Sequence, residues 1–199
     1  MSALELVAVA VTLAAVYLTT RQVIWCWPLS MASVCMYALI FRDARLYADM
    51  GLQGLYFGLA AYGWWAWLHG GTDHGELEVS LASNRLRATA CALALVGGTL
   101  LGGVLGRFTD ASLPYLDSLL TAFSIAAQWM QTRKLLENWI VWLGVDVLYV
   151  GMFLYKGLYP TAALYAVFLL LAALGFVKWR RSMGRPAAGA RPAVPEAAG

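Results

Sequence analysis

Seven long apolar runs, separated by short polar segments, constrain this chain more than any other feature. They lie near residues 3–20, 25–41, 47–68, 88–106, 115–132, 138–155 and 159–178. A helix that crosses the roughly 30 Å hydrocarbon core of a bilayer needs about 20 apolar residues. None of the runs alternates with the period of two that is typical of membrane barrels. The pattern predicts an all-α integral membrane protein with seven transmembrane helices.

The composition agrees with a membrane protein and excludes other classes. Apolar residues make up 61% and charged residues 13% of the 199 residues, against about 45–50% and about 25% in soluble domains. The excess of positive charge lies in the C-terminal tail and not in a basic groove, so nucleic acid is not an expected partner. The motifs of ATP-driven pumps, hydrolases and zinc proteases are absent, and the three cysteines have no C-x-x-C spacing. We therefore expect no catalytic residues, no metal and no cofactor.

Basic residues predict how the chain is oriented in the membrane. With the N-terminus outside, ten of the fourteen Lys and Arg residues fall in cytoplasmic segments and four fall in outer loops. Cytoplasmic loops of membrane proteins carry such an excess of Lys and Arg. The N-terminus is predicted to lie outside and the C-terminus in the cytoplasm, and the start of the chain has no pattern of a cleaved signal peptide. For a bacterial protein, this means a multi-pass protein of the cytoplasmic (inner) membrane.

An internal repeat joins the two halves of the chain. Residues 10–67 align with 122–179 without a gap, and we call this pairing the repeat alignment; it contains sixteen identities. Alanine and leucine identities could arise by chance in apolar helices, but four matched Trp and Tyr pairs at one constant offset indicate a duplication. These are Trp27/Trp139, Tyr37/Tyr149, Tyr47/Tyr159 and Trp67/Trp179.

Three helices per repeat reverse the chain across the membrane, and the Gly-rich fourth run reverses it back. We therefore expect two parallel three-helix repeats joined by a linker helix, the 3+1+3 plan of the SWEET sugar transporters. The boundaries are a first bundle at 1–69, a polar loop with linker helix at 70–112, a second bundle at 113–180 and a disordered cytoplasmic tail at 181–199. Two facing bundles with a path between them are typical of a transporter.

Polar and aromatic side chains share single faces of several predicted helices. Asn138, Trp142, Asp146 and Tyr149 recur every three or four residues, which places them in one sector of a helix. Polar residues inside membrane spans usually face a cavity or a partner. The candidate substrate-binding residues are Trp27, Gln53, Tyr56, Gln128, Asn138, Trp142, Asp146 and Tyr149.

Two alternatives remain open for these residues. Tryptophans near span ends could form an interfacial belt, and amides could join helices to one another. Asp146 could counter a positive substrate or hold neighbouring Tyr or Gln side chains. A mid-membrane carboxyl group without a fixed cation tends to bind a proton, which favours the second role.

Four segments of the chain closely resemble the PnuC family of bacterial vitamin transporters. They are W-C-W-P-L at 25–29, L-Y-A-D-M-G-L-Q at 46–53, Y-G-W-W-A-W at 62–67, and N-W-I-V-W at 138–142 followed by Asp146 and Tyr149. Cys26 and Ser30 depart from the residues common in the family, which are Asn and Gly. The resemblance implies a SWEET-like seven-helix core, a homo-oligomer that is a trimer, and facilitated diffusion of a vitamin that a cytoplasmic kinase then traps.

Nicotinamide riboside is the substrate that typifies the family. Its cationic pyridinium suits aromatic faces, and its hydroxyls suit amides. Thiamine is also a cationic aromatic molecule and is the first alternative; riboflavin and deoxynucleosides follow. Outside the transporter class, a membrane scaffold or sensor would use the same polar stripes only to join helices.

Overall fold

Seven α-helices occupy the seven apolar runs in a computed structural model that describes residues 3–43, 45, 47–109 and 113–183. The helices are α1 (Ala3–Thr20), α2 (Cys26–Asp43), α3 (Tyr47–His69), α4 (Asn84–Phe108), α5 (Pro114–Thr132), α6 (Glu137–Tyr155) and α7 (Tyr159–Ser182). A short 3₁₀ helix at Thr72–His74 follows α3. The all-α prediction is therefore confirmed for the described residues.

Two helices extend four residues or more beyond the apolar runs that predicted them. Helix α4 begins at Asn84 because the Ser83 side chain caps it, accepting a hydrogen bond from the Leu86 backbone at 3.2 Å. Helix α7 continues through its basic residues to Ser182, so the tail predicted to begin at 181 starts with helical residues. The rest of that tail, 184–199, lies outside the described residues.

The helices differ in how readily they could cross a membrane. By length and hydropathy alone, α1, α4, α6 and α7 are apolar enough to span a bilayer. Helices α2, α3 and α5 are at least 18 residues long but do not reach the hydropathy of a membrane span. Polar residues of all three helices line a cavity described below. By this criterion, four of the seven predicted spans are long and apolar enough to cross a membrane.

The internal repeat is present in the backbone as well as in the sequence. Gln22 and Lys134, which the repeat alignment pairs, both have a left-handed backbone, with φ of 57° and 47°. Each donates its backbone N–H to the carbonyl three residues earlier, at 3.0 and 3.1 Å. The turns after α2 and α6 match in the same way, with φ of 59° at Arg45 and 71° at Gly157. This matched geometry agrees with the duplication predicted from the sequence.

Helix packing follows the repeat. Within each half, the first helix packs on the second and the second on the third; between halves, α3 packs on α5 and α1 on α7. Each repeat therefore places its third helix against the first helix of the other. Helix α4 packs mainly on α5, at a close approach that Gly98 permits, since a Cβ there would lie 2.8 Å from Leu119 Cα.

Four tryptophans meet where the two halves join, and we call them the tryptophan cluster: Trp27, Trp67, Trp139 and Trp179. All are at most 2% exposed. Trp27 meets Trp67 edge to face with ring centroids 5.2 Å apart, and their counterparts Trp139 and Trp179 repeat this contact at 5.3 Å. Trp67 and Trp179 connect the two pairs at 5.8 Å. Edge-to-face contacts of this kind are favourable beyond the area they bury.

Two hydrogen bonds cross between the repeats at this cluster. The Trp67 Nε1–H donates to the Gln131 carbonyl at 3.1 Å, and the Trp179 Nε1–H donates to the Thr19 carbonyl at 3.0 Å. The repeat alignment pairs Gln131 with Thr19 just as it pairs the two tryptophans, so the two bonds are equivalent. Each repeat is thus bonded to the other through the same two positions.

Replacing Gly63 by alanine should destabilise the protein through this cluster. A Cβ at Gly63 would lie 2.5 Å from Trp27 Cζ2, closer than real Cβ atoms come to any neighbour. Overpacking of this kind costs about 1–3 kcal/mol. Gly58→Ala is the matched control on the same helix, because nothing lies within 4 Å of its Cβ position. Thermal unfolding in detergent should show a lower midpoint for Gly63→Ala only; equal midpoints would contradict the tight packing.

Candidate functional site

A cavity of about 570 Å³ lies between the two repeats. Six helices, α1, α2, α3, α5, α6 and α7, contribute to its lining, and no described residue of α4 does. One end reaches Trp139, a member of the tryptophan cluster, and the buried Gln131, whose carbonyl accepts from Trp67. The other end reaches the exposed residues Asp49 and Asp117 near the starts of α3 and α5. The cavity is therefore closed at the tryptophan end and open at the opposite end.

Six of the eight predicted site residues line this cavity. Gln53 and Tyr56 come from α3, Gln128 comes from α5, and Trp142, Asp146 and Tyr149 come from α6. The spacing of these residues on one face of each helix predicted that they would meet, and the structure brings them together. Their role in binding substrate remains a prediction.

The other two predicted residues lie in the packed interior. Trp27 is fully buried in the tryptophan cluster. Asn138 is also fully buried, and its Nδ2 donates to the Leu135 carbonyl at 2.6 Å. This bond turns the Asn138 amide toward the residues before α6. At the start of α6, Trp139 lines the cavity and Asn138 does not. Trp25, Trp64 and Trp65 are exposed, as an interfacial belt requires.

An aromatic wall that the single-helix patterns missed completes the cavity. Tyr165 on α7 lies 4.7 Å from Tyr149 and 5.1 Å from Phe153 between ring centroids, and Phe168 meets Tyr165 at 5.7 Å. All four residues line the cavity. Tyr165 and Phe168 are the repeat counterparts of Gln53 and Tyr56, so the repeat alignment carried the signal that could have identified them.

The Asp, Glu, Lys, Arg and His residues among the described lining of the cavity are all acidic. Asp49, Asp117 and Asp146 line it, and no Lys, Arg or His does. Asp146 is 3% exposed and has no ion-pair partner in the described part of the chain. Asp117 was not among the predicted residues, because it lies in the first turn of α5, where an acidic residue is ordinary. Such a cavity favours a cationic or neutral ligand over an anion.

Hydroxyl groups face the same space on both repeats. Thr12 on α1 and Ser124 on α5 are paired by the repeat alignment, and both line the cavity. Thr12 donates to the Ala8 carbonyl and Ser124 to the Leu120 carbonyl, each at 2.8 Å. Thr12 Oγ1 also lies 2.5 Å from Ser33 Oγ, so these two hydroxyls of the first repeat are hydrogen-bonded to each other.

The extended segment 75–83, between α3 and α4, lies across the closed end of the cavity, and we call it the strap. The Ser80 backbone, in the segment between α3 and α4, accepts from the Leu136 N–H at 2.9 Å and donates to the Lys134 carbonyl at 3.1 Å. The Lys134 ammonium lies 4.4 Å from the centre of the Trp67 ring. Burial lowers the pKa of Lys134, while Glu76 and Glu78 on the strap act in the opposite direction. The strap and this lysine together seal the tryptophan cluster from one side.

Known proteins that the chain resembles are membrane transporters. The family model described as Nicotinamide mononucleotide transporter matches residues 2–181. The nicotinamide riboside transporter PnuC of Escherichia coli (strain K12) is 26% identical, with 76% of this chain and 74% of that protein covered. The riboflavin/roseoflavin transporter RibM of Streptomyces davaonensis is 27% identical, with 80% and 76% covered.

The fold has a counterpart among solved structures. The crystal structure of the vitamin B3 transporter PnuC matches with a TM-score of 0.70 and 23% identity, covering 89% of this chain and 80% of that one. Together with four membrane-capable helices, these findings identify a multi-pass membrane protein of a transporter family. The chain belongs to the nicotinamide mononucleotide transporter family, which is the family of the PnuC transporters.

Proposed function

We propose that the protein takes up nicotinamide riboside by facilitated diffusion and that a cytoplasmic kinase traps the imported vitamin. The observation that carries this proposal is a cavity between the repeats that is both aromatic and acidic. Nicotinamide riboside joins a flat cationic ring to a polar ribose and suits such a lining. The cavity volume of about 570 Å³ falls in the usual range for small-molecule sites, about 300–1,000 Å³.

Each part of the proposed substrate has a partner in the cavity. Trp142, Tyr149 and Tyr56 offer ring faces for cation–π contact with the pyridinium, worth about 0.5–2 kcal/mol each. Gln53 and Gln128 offer amides for the ribose hydroxyls. The buried Trp139 Nε1–H has no hydrogen-bond partner among the described residues, so it is available as a further donor at the closed end.

Riboflavin is the second candidate because RibM, its transporter, is as similar to this chain as the Escherichia coli protein is. The riboflavin ring system is neutral and gains less from an acidic lining than a cationic ring does. Thiamine shares the positive charge of nicotinamide riboside. The acidic lining therefore supports a cationic vitamin, and a binding panel of these vitamins with a deoxynucleoside decides among them.

Trp142→Ala should weaken vitamin binding more than about tenfold, because it removes both ring contact and buried apolar area from the cavity. Trp65→Ala is the matched control, since Trp65 is 57% exposed and lies outside the cavity. Binding is measured by calorimetry with the vitamin panel, and thermal unfolding reports folding. If Trp142→Ala binds as the unmutated protein does, the α6 face is packing and the α3 face with Gln53 and Tyr56 is the better candidate.

We propose that the two bundles are parallel repeats joined by α4 and that the N-terminus lies outside. The excess of basic residues on one side supports this orientation. The tryptophan cluster then closes the cytoplasmic end, and the cavity opens outward. Transport requires the crossing Trp67 and Trp179 bonds to part while the open end closes.

Cysteine labelling tests this orientation. In a variant without the exposed Cys35 and Cys91, a cysteine at Ala3 should react only from outside and one at Ser182 only from the cytoplasmic side. A cysteine at Lys156, in the turn after α6, should behave like the one at Ala3. Labelling of both ends from one side would refute an odd number of spans and the parallel repeats with it.

We propose uniport, without sodium or proton coupling. The carboxylates of the cavity have no counterpart across it: Asp49 matches Thr161 and Asp146 matches Val34 at the repeat offset, and Glu5, which matches Asp117, does not line the cavity. A symmetric cage of carboxylates for a coupling cation is therefore absent from the described lining.

Membrane potential should then drive a cationic vitamin into liposomes. A monovalent cation gains about 2.3 kcal/mol per 100 mV, equal to roughly 50-fold accumulation. Uptake of nicotinamide riboside should rise with an inside-negative potential set by potassium and valinomycin, whereas uptake of neutral riboflavin, if carried, should not respond. Uptake that requires a sodium or proton gradient at zero potential would contradict uniport.

A further inference from the structure

A second cavity, of about 540 Å³, lies on the opposite faces of α5 and α6 from the first. Residues of α4, α5, α6 and α7 and of the segments beside them line it, and we call it the lateral groove. On α5, Phe123 and Met130 face the lateral groove, whereas Ser124 and Gln131 face the cavity between the repeats. The two spaces are lined by different residues, so the lateral groove is separate from the cavity proposed to bind the vitamin.

The charged residues of the lateral groove all lie at its tryptophan end. Arg87 is in the first turn of α4, Glu137 begins α6, and Arg180 is in the last turn of α7. One or two turns deeper toward the membrane centre, the lining is apolar, with Cys91 and Phe176 on opposite walls. Polarity therefore changes along the expected membrane normal.

One guanidinium at this end is available to an anion. Arg87 is paired with Glu137 at 2.7 Å, and Glu137 also accepts from the Ala82 backbone at 3.0 Å. Arg180 is exposed and has no ion-pair partner in the described part of the chain. The polar end of the groove thus carries a net positive charge.

The groove is limited to one half of the membrane thickness. Its deepest residue on α5, Phe123, lies nine residues before the end of that helix at Thr132, a depth of about 14 Å. Half of a roughly 30 Å hydrocarbon core is about 15 Å. A groove of this depth matches one acyl chain of one leaflet.

We propose that the lateral groove binds an anionic glycerophospholipid. The phosphate group lies against Arg180, with Arg87 beside it, and one acyl chain follows the apolar wall toward Phe123. Basic pockets between transmembrane helices recognise acidic lipid headgroups in this way. The site is independent of the vitamin and of the proposed transport mode.

Native mass spectrometry of the full-length protein tests the proposal with palmitoyl-oleoyl phosphatidylglycerol and with the phosphatidylcholine that has the same chains. The protein should retain the phosphatidylglycerol selectively. Arg180→Gln should reduce retention about fivefold, whereas Arg181→Gln should not, because the exposed Arg181 does not line the groove. Both variants make the same change in charge.

Steric variants test the apolar wall separately. Cys91→Phe should fill the groove and abolish retention, and the adjacent Ala92→Phe, exposed but outside the groove, should not. Equal retention of the two lipids, or equal loss in Arg180→Gln and Arg181→Gln, would overturn the proposal. So would variants that change the oligomer mass without changing bound lipid, since the groove would then be a subunit interface. Thermal unfolding of the same variants shows that each is folded, so this test stays separate from that of the transport function.

Discussion

The crossing indole hydrogen bonds between the two repeats are the interaction on which the rest of the structure depends. Apolar surface alone does not hold helices together in a bilayer, because lipid tails are as apolar as leucine, so close packing and polar contacts must join them. Trp67 bonds to the Gln131 carbonyl and Trp179 to the Thr19 carbonyl, which fixes both inter-repeat contacts at one end. Since the two halves meet there, the space between them is left at the other end, and the cavity follows from the join.

The residues that join the two halves match between the repeats, whereas many residues of the cavity lining differ. The residues that join the halves are identical in the two repeats, as Trp27 is with Trp139 and Trp67 with Trp179. Several polar and aromatic residues of the cavity differ between the repeats: Gln53 corresponds to Tyr165, Asp146 to Val34 and Trp142 to Ser30. A vitamin has a ring at one end and a sugar or chain at the other, so it cannot use equivalent groups on both sides. Divergence of the lining is what a single asymmetric ligand requires.

The helices and the repeat could be predicted from the sequence because both depend on long patterns. The direction of individual side chains could not. Periodicity placed Asn138, Trp142 and Asp146 in one sector, but in the first turn of α6 Asn138 bonds back to Leu135, and Trp139 faces the cavity. The burial of Trp27 away from the cavity could not be predicted for a related reason. The space that Gly63 leaves for the Trp27 ring arises only when α2 and α3 pack together. Tyr165 and Asp117 were accessible from the sequence only by combining the repeat alignment with the position of the cavity.

The closed end is not held equally on its two sides, and this bears on how it can open. At the α1–α2 turn, Gln22 is bonded to Ser182 of α7 through one side-chain hydrogen bond of 2.9 Å. At the equivalent α5–α6 turn, Lys134 covers Trp67, and two backbone hydrogen bonds tie the turn to the strap at Ser80. Each such hydrogen bond contributes about 0.5–1.5 kcal/mol, and a desolvated cation–π contact adds up to about 2 kcal/mol. The α1 and α7 side has a cation–π contact of its own, with the Lys178 ammonium 5.3 Å from the centre of the Tyr17 ring. The difference between the two sides therefore lies in the two backbone hydrogen bonds at Ser80, and parting the α1 and α7 side costs less than parting the α3 and α5 side.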